Sequence, residues 1–237
     1  MTAIIKDVTI GDCRLILGDC LEVMPLLGNF DAVVTDPPYG IGESQKKNLS
    51  RHKLAECTVY KGGDFDHEPA SVEQINMLVN RSNNQIIFGG NYFDLPPSSC
   101  WLVWNKETGK SDFADCELAW TNLKKAVRMI TWQWSGFLRK GVERGVKRVH
   151  LTQKPVGVME WCIKHLPENA ETILDPFMGS GTTGVACVKL GRKFTGIELD
   201  PDYFDIACER IRKAYEQPDM FVEQPSKPII PKQEDMF

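Results

Sequence analysis

Residues 172–200 read TILDPFMGSGTTGVACVKLGRKFTGIELD, and this stretch decides the fold. The apolar run at 172–174 predicts a buried strand, a glycine-rich turn follows it, residues 182–190 predict a helix, and residues 194–197 predict a second strand. Gly179, Gly181 and Gly184 fit the pattern G-x-G-x-x-G, and Glu198 comes 19 residues after Gly179. This order is typical of a Rossmann-like nucleotide site, so on its own it favours an NAD-dependent oxidoreductase.

A carboxylate at the start of the glycine turn changes that interpretation. Glycines let the backbone approach a ligand closely, and the free N–H groups of the helix start attract a phosphate or a carboxylate. Asp175, however, ends the first strand, where a pyrophosphate would bring charge of the same sign. S-adenosylmethionine offers an amino group to Asp175 and a ribose to Glu198, and it has no phosphate. We therefore expect S-adenosyl-L-methionine as the cofactor.

A second motif follows the apolar run at 32–35 and consists of Asp36, Pro37, Pro38 and Tyr39. The carboxyl end of a strand is where open α/β sheets bind ligands, and two successive prolines fix the backbone there. A rigid carboxylate and carbonyl can hold the two hydrogens of an exocyclic amino group and release its lone pair for attack on a methyl group. The Tyr39 ring can stack on a base flipped out of a duplex.

These motifs resemble those of the S-adenosylmethionine-dependent DNA amino-methyltransferases, in the beta group where Asp-Pro-Pro-Tyr precedes the cofactor loop. The resemblance covers about residues 12–212 and rests on residues 17–20, 36–39, 88–92, 150–155, 175–183 and 196–200. One departure is that Leu151 follows His150 where the family usually has proline. The family commonly works in restriction–modification, and we leave open whether a restriction partner exists.

The resemblance implies which residues serve the reaction. The catalytic motif is Asp36, Pro37, Pro38 and Tyr39. The cofactor site comprises the strand end and glycine loop, a ribose carboxylate, two neighbours of the adenine and one lysine near the cofactor: Asp175, Pro176, Phe177, Gly179, Ser180, Gly181, Thr182, Thr183, Glu198, Asp19, Cys20 and Lys154. No metal is needed for direct displacement, and we expect none.

Several acceptors remain open. Methylation at cytosine C5 needs a cysteine nucleophile, which in that family follows a proline, and no Pro-Cys dipeptide occurs here. The two exocyclic amino groups are chemically alike, and the resemblance implies adenine N6 over cytosine N4, because in that family aspartate at the first motif position favours adenine and serine favours cytosine. The same pair of acceptor groups could also hold the amino group of an RNA base or of a protein glutamine. A non-catalytic DNA-binding module with a relic cofactor fold is a further alternative.

The apolar pattern outside these motifs extends the α/β, Rossmann-like prediction of a mostly parallel sheet flanked by helices. We predict strands at 14–17, 32–35, 85–88, 101–104, 116–120, 127–132, 172–174 and 194–197, and helices at 71–80, 155–166, 182–190 and 201–215. Residues 1–216 are predicted to form one catalytic domain. Four prolines in residues 217–237 predict an extended, mobile, acidic tail.

Charge is distributed unevenly along the chain. The net charge of −4 argues against nucleic acid, but residues 124–150 hold eight basic residues and one acidic residue, a net +7. Trp132, Trp134 and Phe137 are interleaved with these charges, and a second basic patch contains Lys46, Lys47, Arg51 and Lys53. We therefore predict DNA as the partner, contacted by loops at about 40–70 and 121–150, with phosphate contacts and with aromatic residues that stack or wedge. Some of the tryptophans are expected in the core instead.

Three further expectations concern location and partners. Eight cysteines without metal-ligand spacing, and no apolar run long enough for a signal peptide or membrane span, predict a reduced cytoplasmic protein that contacts no membrane. Residues Gln233 to Phe237 are similar to the peptide by which bacterial replication proteins hold the sliding clamp. A homodimer is also retained as an expectation.

Overall fold

A computed structural model describes residues 2–41, 68–107, 114–135, 138–139 and 153–216 of the chain. Within them, nine strands form one mixed sheet. In chain order they are β1 (Lys6–Ile10), β2 (Cys13–Leu17), β3 (Phe30–Thr35), β4 (Ser82–Phe88), β5 (Trp101–Asn105), β6 (Cys116–Thr121), β7 (Arg128–Thr131), β10 (Thr172–Asp175) and β11 (Lys193–Glu198). Two short strands, β8 (Trp134–Ser135) and β9 (Leu138–Arg139), pair with each other.

The α-helices in the described residues are α1 (Cys20–Val23), α2 (Val72–Asn80), α3 (Val156–Ile163), α4 (Thr182–Lys189) and α5 (Pro201–Glu216). Three of these five helices begin at a side-chain cap, namely α1, α2 and α5. Ser71 and Gln74 form a reciprocal capping box at the start of α2. The Asp200 carboxylate accepts hydrogen bonds from the backbone N–H groups of Asp202 and Tyr203, which fixes the start of α5.

The order of strands across the sheet is β1-β2-β11-β10-β3-β4-β6-β5-β7. Strands β2, β11, β10, β3 and β4 pair in parallel, β6 lies antiparallel between β4 and β5, and β7 continues parallel to β5. Only β1 and β6 in this sheet therefore run against the other strands. The carboxyl ends of the parallel strands meet at one edge, which is the edge that carries the predicted motifs.

Helices cover both faces of the sheet and bury two apolar clusters. One cluster joins α3, α4 and α5 to the sheet through residues such as Met159, Ala186 and Phe204. The other joins α1 and α2 to the opposite face through residues such as Val23 and Leu78. Parallel strands buried on both faces must be apolar at successive positions, and β3 shows this with residues 32–35 all buried.

The α/β, Rossmann-like prediction is confirmed, and the eight predicted strands and four predicted helices are all present. The sequence-based assignment missed β1, α1 and the β8–β9 pair, because these are short or mostly exposed. In the described part of the chain no helix has the length and apolarity needed to cross a membrane.

Candidate active site

Adjacent strand ends bring the two predicted motifs together. Strands β3 and β10 pair in parallel, with Val33 opposite Leu174, so that the two motifs follow neighbouring strand ends at the same edge of the sheet. The Thr35 hydroxyl donates a hydrogen bond of 2.7 Å to Asp175 Oδ1. Thr35 is fully buried, so this contact joins the two motifs inside the protein.

The glycine turn has the conformation that the sequence pattern requires. Gly179 and Gly181 have φ values of 53° and 77°, a region that residues with a Cβ rarely adopt. A Cβ added to Gly181 would lie 2.9 Å from the Cβ of Ala207 on α5, so glycine also permits the close approach of that helix. Arg210 of α5 supports the turn from behind, with Nη1 donating to the Ser180 carbonyl at 2.6 Å and to its hydroxyl at 2.8 Å.

Asp175 is a buried carboxylate held by hydroxyl groups. Its exposed fraction is 2%, and Oδ2 accepts a hydrogen bond from Thr183 Oγ1 at 2.6 Å. Burial raises its pKa to about 6, against the hydrogen bonds from Thr183, Thr35 and the Phe177 backbone, and the nearby Asp36 adds to the rise. A cationic group next to Asp175 would relieve this penalty, which fits the prediction of an amino group there.

Glu198 ends β11 and faces the start of the glycine turn. Its Oε2 accepts from the Gly179 backbone N–H at 2.7 Å, and its Oε1 accepts from the N–H groups of Leu199 and Asp200 at 3.0 and 2.9 Å. Burial raises the pKa of Glu198 to about 7 despite these bonds. The predicted adenine neighbours lie at the same edge, because the Gly18 N–H donates to the Glu198 carbonyl at 2.9 Å.

Asp19 and Cys20 also have local structural roles. The Asp19 carboxylate caps α1 by accepting from the Leu21 N–H at 2.8 Å. Cys20 is buried, and its sulfur lies 3.4 Å from Gln74 Nε2.

The Asp-Pro-Pro-Tyr loop is fixed at both ends. Tyr39 donates its hydroxyl to Asp36 Oδ1, and the Pro38 carbonyl accepts from the Ala70 N–H at 2.9 Å. Burial, followed by the charge of Asp36, raises the pKa of Tyr39 well above its usual value, so the phenol remains a donor. The motif is therefore a rigid unit with its carboxylate oriented by its own tyrosine.

A chain of alternating charges leads away from Asp36, with Lys154 buried and Asp36, Glu117 and Lys106 each about one fifth exposed. Lys154 Nζ lies 2.5 Å from Asp36 Oδ2 and 3.1 Å from Glu117 Oε2, and Lys106 Nζ lies 2.5 Å from Glu117 Oε1. Burial disfavours the charge on Lys154, but the two carboxylates outweigh it and raise the pKa of Lys154. Burial also disfavours the charge on Glu117, but the attraction of Lys154 and Lys106 outweighs burial and lowers the pKa of Glu117. For Asp36, burial prevails over Lys154 and raises the pKa.

This chain shows what one predicted residue contacts. Lys154, which we predict to lie near the cofactor, places its ammonium on the carboxylate of the catalytic motif. The physical reason is that a buried ammonium requires anionic partners, and Asp36 and Glu117 provide them. Glu117 and Lys106 were absent from the predicted site, because no motif marks them in the sequence.

An aromatic pair covers the Tyr39 ring. Tyr92 stacks on it with 5.0 Å between ring centroids and 13° between planes, and Phe93 meets it edge-on at 6.3 Å. Tyr92 belongs to the Phe-Gly-Gly-Asn-Tyr segment that carried part of the family resemblance, but we had given it no role.

The described part of the basic stretch shows which of its tryptophans belongs to the core. Trp134 is only 6% exposed and belongs to the apolar core. Trp132 is half-buried and packs so closely on α3 that a Cβ at Gly157 would lie 2.3 Å from its ring. Lys124 and Arg128 are exposed. The patch at Lys46 to Lys53, Phe137, the basic residues after Arg139 and the tail with Gln233 to Phe237 lie outside the described residues.

Comparison with known proteins supports the assignment of these motifs. The family model described as DNA methylase, N6_N4_Mtase, matches residues 72–209, which include the glycine turn and begin after Asp-Pro-Pro-Tyr. The type II methyltransferase M.ScaI of Streptomyces caespitosus is 44% identical over 84% of this chain and 81% of its own length. The match to M2.DpnII of Streptococcus pneumoniae is 45% identical but covers 33% of this chain and 29% of that enzyme. M2.LlaDCHI of Lactococcus lactis is likewise matched over 29% of its length.

Solved structures share the architecture. The M1.HpyAVI–SAM complex is 26% identical, with a TM-score of 0.51 over 84% of this chain and 99% of that chain. The cytosine-N4-specific PvuII DNA methyltransferase gives a TM-score of 0.55 over 90% of this chain and 94% of its own. At 17% identity that second likeness concerns the fold alone.

Proposed function

The chain belongs to the N6_N4_Mtase family of DNA methylases, and we propose that it transfers a methyl group from S-adenosylmethionine to the exocyclic amino nitrogen of a flipped DNA base, with adenine N6 as the acceptor. The observation that carries this proposal is the hydrogen bond between Thr35 and Asp175. It brings a loop suited to an amino group against a loop suited to an adenosyl ligand. Neither half alone would select this reaction over the NAD alternative.

The donor set of the glycine loop fits S-adenosylmethionine. Glu198 supplies a carboxylate for two ribose hydroxyls, and Asp175 supplies a buried carboxylate that an amino group would neutralise. Gly179 and Gly181 supply the positive φ values that shape this turn. When bound, S-adenosylmethionine would supply an electrophilic methyl group on a sulfonium. A pyrophosphate would instead face the charge of Asp175.

The acceptor side consists of the Asp36 carboxylate and the Pro37 carbonyl. In the proposed complex these two oxygens accept the two N–H hydrogens of the base, and Tyr39 stacks on the base plane. The hydroxyl of Tyr39 and the ammonium of Lys154 hold the Asp36 carboxylate in position. As the nitrogen gains positive charge, the nearby carboxylate stabilises it, and the buried surroundings strengthen this interaction.

Aspartate at the first motif position is the reason for preferring adenine. Cytosine N4 presents the same planar amino group, so it is the second candidate acceptor. The arrangement of the Asp36 carboxylate and the Pro37 carbonyl suits both bases equally. Only identification of the methylated nucleoside distinguishes them.

We infer that loops at about 40–70 and 121–150 contact DNA, and that residues 1–216 are the catalytic domain. Exposed Lys124 and Arg128 support this at the described start of the second loop. Reversing the charge at Arg139 and Lys140 should weaken DNA binding and flatten its salt dependence. Deleting Gln233 to Phe237 tests the separate proposal of sliding-clamp binding by pull-down, and sedimentation tests the homodimer.

The central experiment incubates the protein with unmethylated genomic DNA and S-adenosylmethionine. Mass spectrometry of the digested nucleosides should reveal N6-methyladenine, and modification-sensitive sequencing then gives the site. Asp36→Ala should lower the rate at least about a hundredfold, because it removes a charge that acts on the transition state. Asp205→Ala is the matched control, since Asp205 lies in an exposed ion pair with Lys6. Detection of N4-methylcytosine instead of N6-methyladenine would identify cytosine, the second candidate, as the acceptor. The absence of any methylated nucleoside would refute the proposal.

A further inference from the structure

We propose that Tyr92 is a second stacking residue of the target-base site. Its ring moves away from the Tyr39 ring, and the flipped base enters between the two. This inference rests on the proposed function and adds a residue to it. The rings of Tyr92 and Tyr39 are nearly parallel, with 13° between their planes. Two parallel rings beside the Asp36 carboxylate form the walls that a planar base requires.

The two tyrosines differ in how firmly they are held. Tyr39 is tied to Asp36 by its hydroxyl and lies so close to Gly89 that a Cβ there would be 2.1 Å from the ring. Tyr92, in contrast, is 49% exposed and sits on a single turn of 3₁₀ helix. The fixed ring is therefore Tyr39, and Tyr92 is the ring that can move.

The backbone before Tyr92 is anchored to the sheet. The Gly89 N–H donates to the Leu118 carbonyl at 2.8 Å, and the Tyr92 N–H donates to the Gly89 carbonyl at 2.8 Å. A Cβ at Gly90 would lie 2.4 Å from the Cβ of Trp120, so the turn is pressed against β6. Motion of Tyr92 is thus confined to its side chain, which keeps the ring next to the site after it opens.

The distance between the rings sets the size of the movement. Stacked carbon atoms lie about 3.5 Å apart, so a base between two rings needs about 7 Å. The rings are already in contact at 5.0 Å between centroids, so their planes must separate by about 3.5 Å more, the thickness of one base, through movement of Tyr92. An exposed side chain can make this movement without disturbing the core.

Stacking on a second ring should strengthen the hold on the flipped base. From the usual strength of base stacking on aromatic side chains, the loss of Tyr92 should weaken binding of the flipped state about tenfold or more. Binding of the surrounding duplex should not change, because Tyr92 would touch only the extruded base.

The test measures equilibrium binding of two duplexes that contain the site found by sequencing. One carries a mismatch at the target base, which lowers the cost of flipping, and the other carries an abasic site, which leaves nothing to stack. Tyr92→Ala should weaken binding of the mismatched duplex about tenfold or more and leave the abasic duplex unchanged. Tyr92→Phe, which retains the ring, should bind both duplexes like the unchanged protein.

Three results would overturn the proposal. Tighter binding of the mismatched duplex by Tyr92→Ala would mean that Tyr92 only blocks the site. Equal weakening with both duplexes would mean that it contacts the flanking DNA, and unchanged binding of both would mean that it does not touch the base. Failure of the proposed function is distinct, because it appears as an absence of methyl transfer by the unchanged protein.

Discussion

Replacing Lys154 by methionine tests the charge chain most directly. Methionine keeps much of the shape of the lysine side chain but removes its charge. The Lys154 side chain is 6% exposed and pairs with Asp36 at 2.5 Å and with Glu117 at 3.1 Å. After the substitution, Glu117 still has Lys106 at 2.5 Å, whereas Asp36 retains the Tyr39 hydroxyl and loses its ammonium partner.

The expected loss of stability follows from that difference between the two carboxylates. The Asp36 carboxylate, which is 21% exposed, is left without a cation, and breaking a largely buried pair typically costs about 3–5 kcal/mol. Because Glu117 keeps its second lysine, we expect this cost once rather than twice. For a domain of this size each 1 kcal/mol lowers the unfolding midpoint by about 2–4 °C, so a fall of roughly 6–20 °C is expected.

The effect should depend on pH in a defined direction. Without Lys154, burial raises the pKa of Asp36 further, so the folded variant binds a proton more tightly than the unfolded chain does. Stability of the variant relative to the unchanged protein should therefore fall as pH rises through that raised pKa. The deficit should be larger at pH 8 than at pH 5.

Thermal and urea unfolding at both pH values provide the measurement. Lys213→Met is the matched control, because Lys213 also lies 2.5 Å from a carboxylate, that of Glu209, but both side chains are more than 60% exposed. The control should leave the unfolding midpoint unchanged at either pH. If Lys154→Met is as stable as the control at pH 8, the charge chain does not stabilise the fold and the reasoning is wrong.

Two further predictions concern the cofactor loop. Gly181→Ala should destabilise the protein by about 1–3 kcal/mol in urea titrations, and by more than Gly191→Ala. Both glycines have positive φ, but a Cβ at 181 would press on α5, whereas nothing lies within 4 Å of a Cβ at 191. Equal losses of stability in the two variants would exclude the packing contribution. Affinity for S-adenosylhomocysteine should rise between pH 6 and pH 8, because the pKa of Glu198 is raised to about 7 and its ionised form accepts the ribose hydroxyls. Calorimetry of Glu198→Gln should show that the rise shrinks to the smaller part due to Asp175, whose pKa is about 6. An undiminished rise would assign it to another group.

The parts of the site that the sequence could predict are those encoded within one short segment. The glycine loop and Asp-Pro-Pro-Tyr each follow a buried strand, so their residues could be placed at the carboxyl edge before the structure was known. Trp134 shows the limit of this approach, because the sequence could not tell which tryptophan of the basic stretch is core. Burial is decided by what packs on a side chain from elsewhere in the chain, which local composition does not reveal.

Glu117 shows why the remaining part of the site was missed. The rule for locating a site in an α/β sheet looks at the carboxyl ends of strands, and Glu117 is the second residue of its strand, β6. Strand β6 runs antiparallel between β4 and β5, with Glu117 opposite Trp104. Its amino end therefore lies at the edge where its neighbours have their carboxyl ends. Because β6 is reversed, a carboxylate near its start lies beside Lys154. In a parallel strand the same residue would lie at the opposite edge of the sheet.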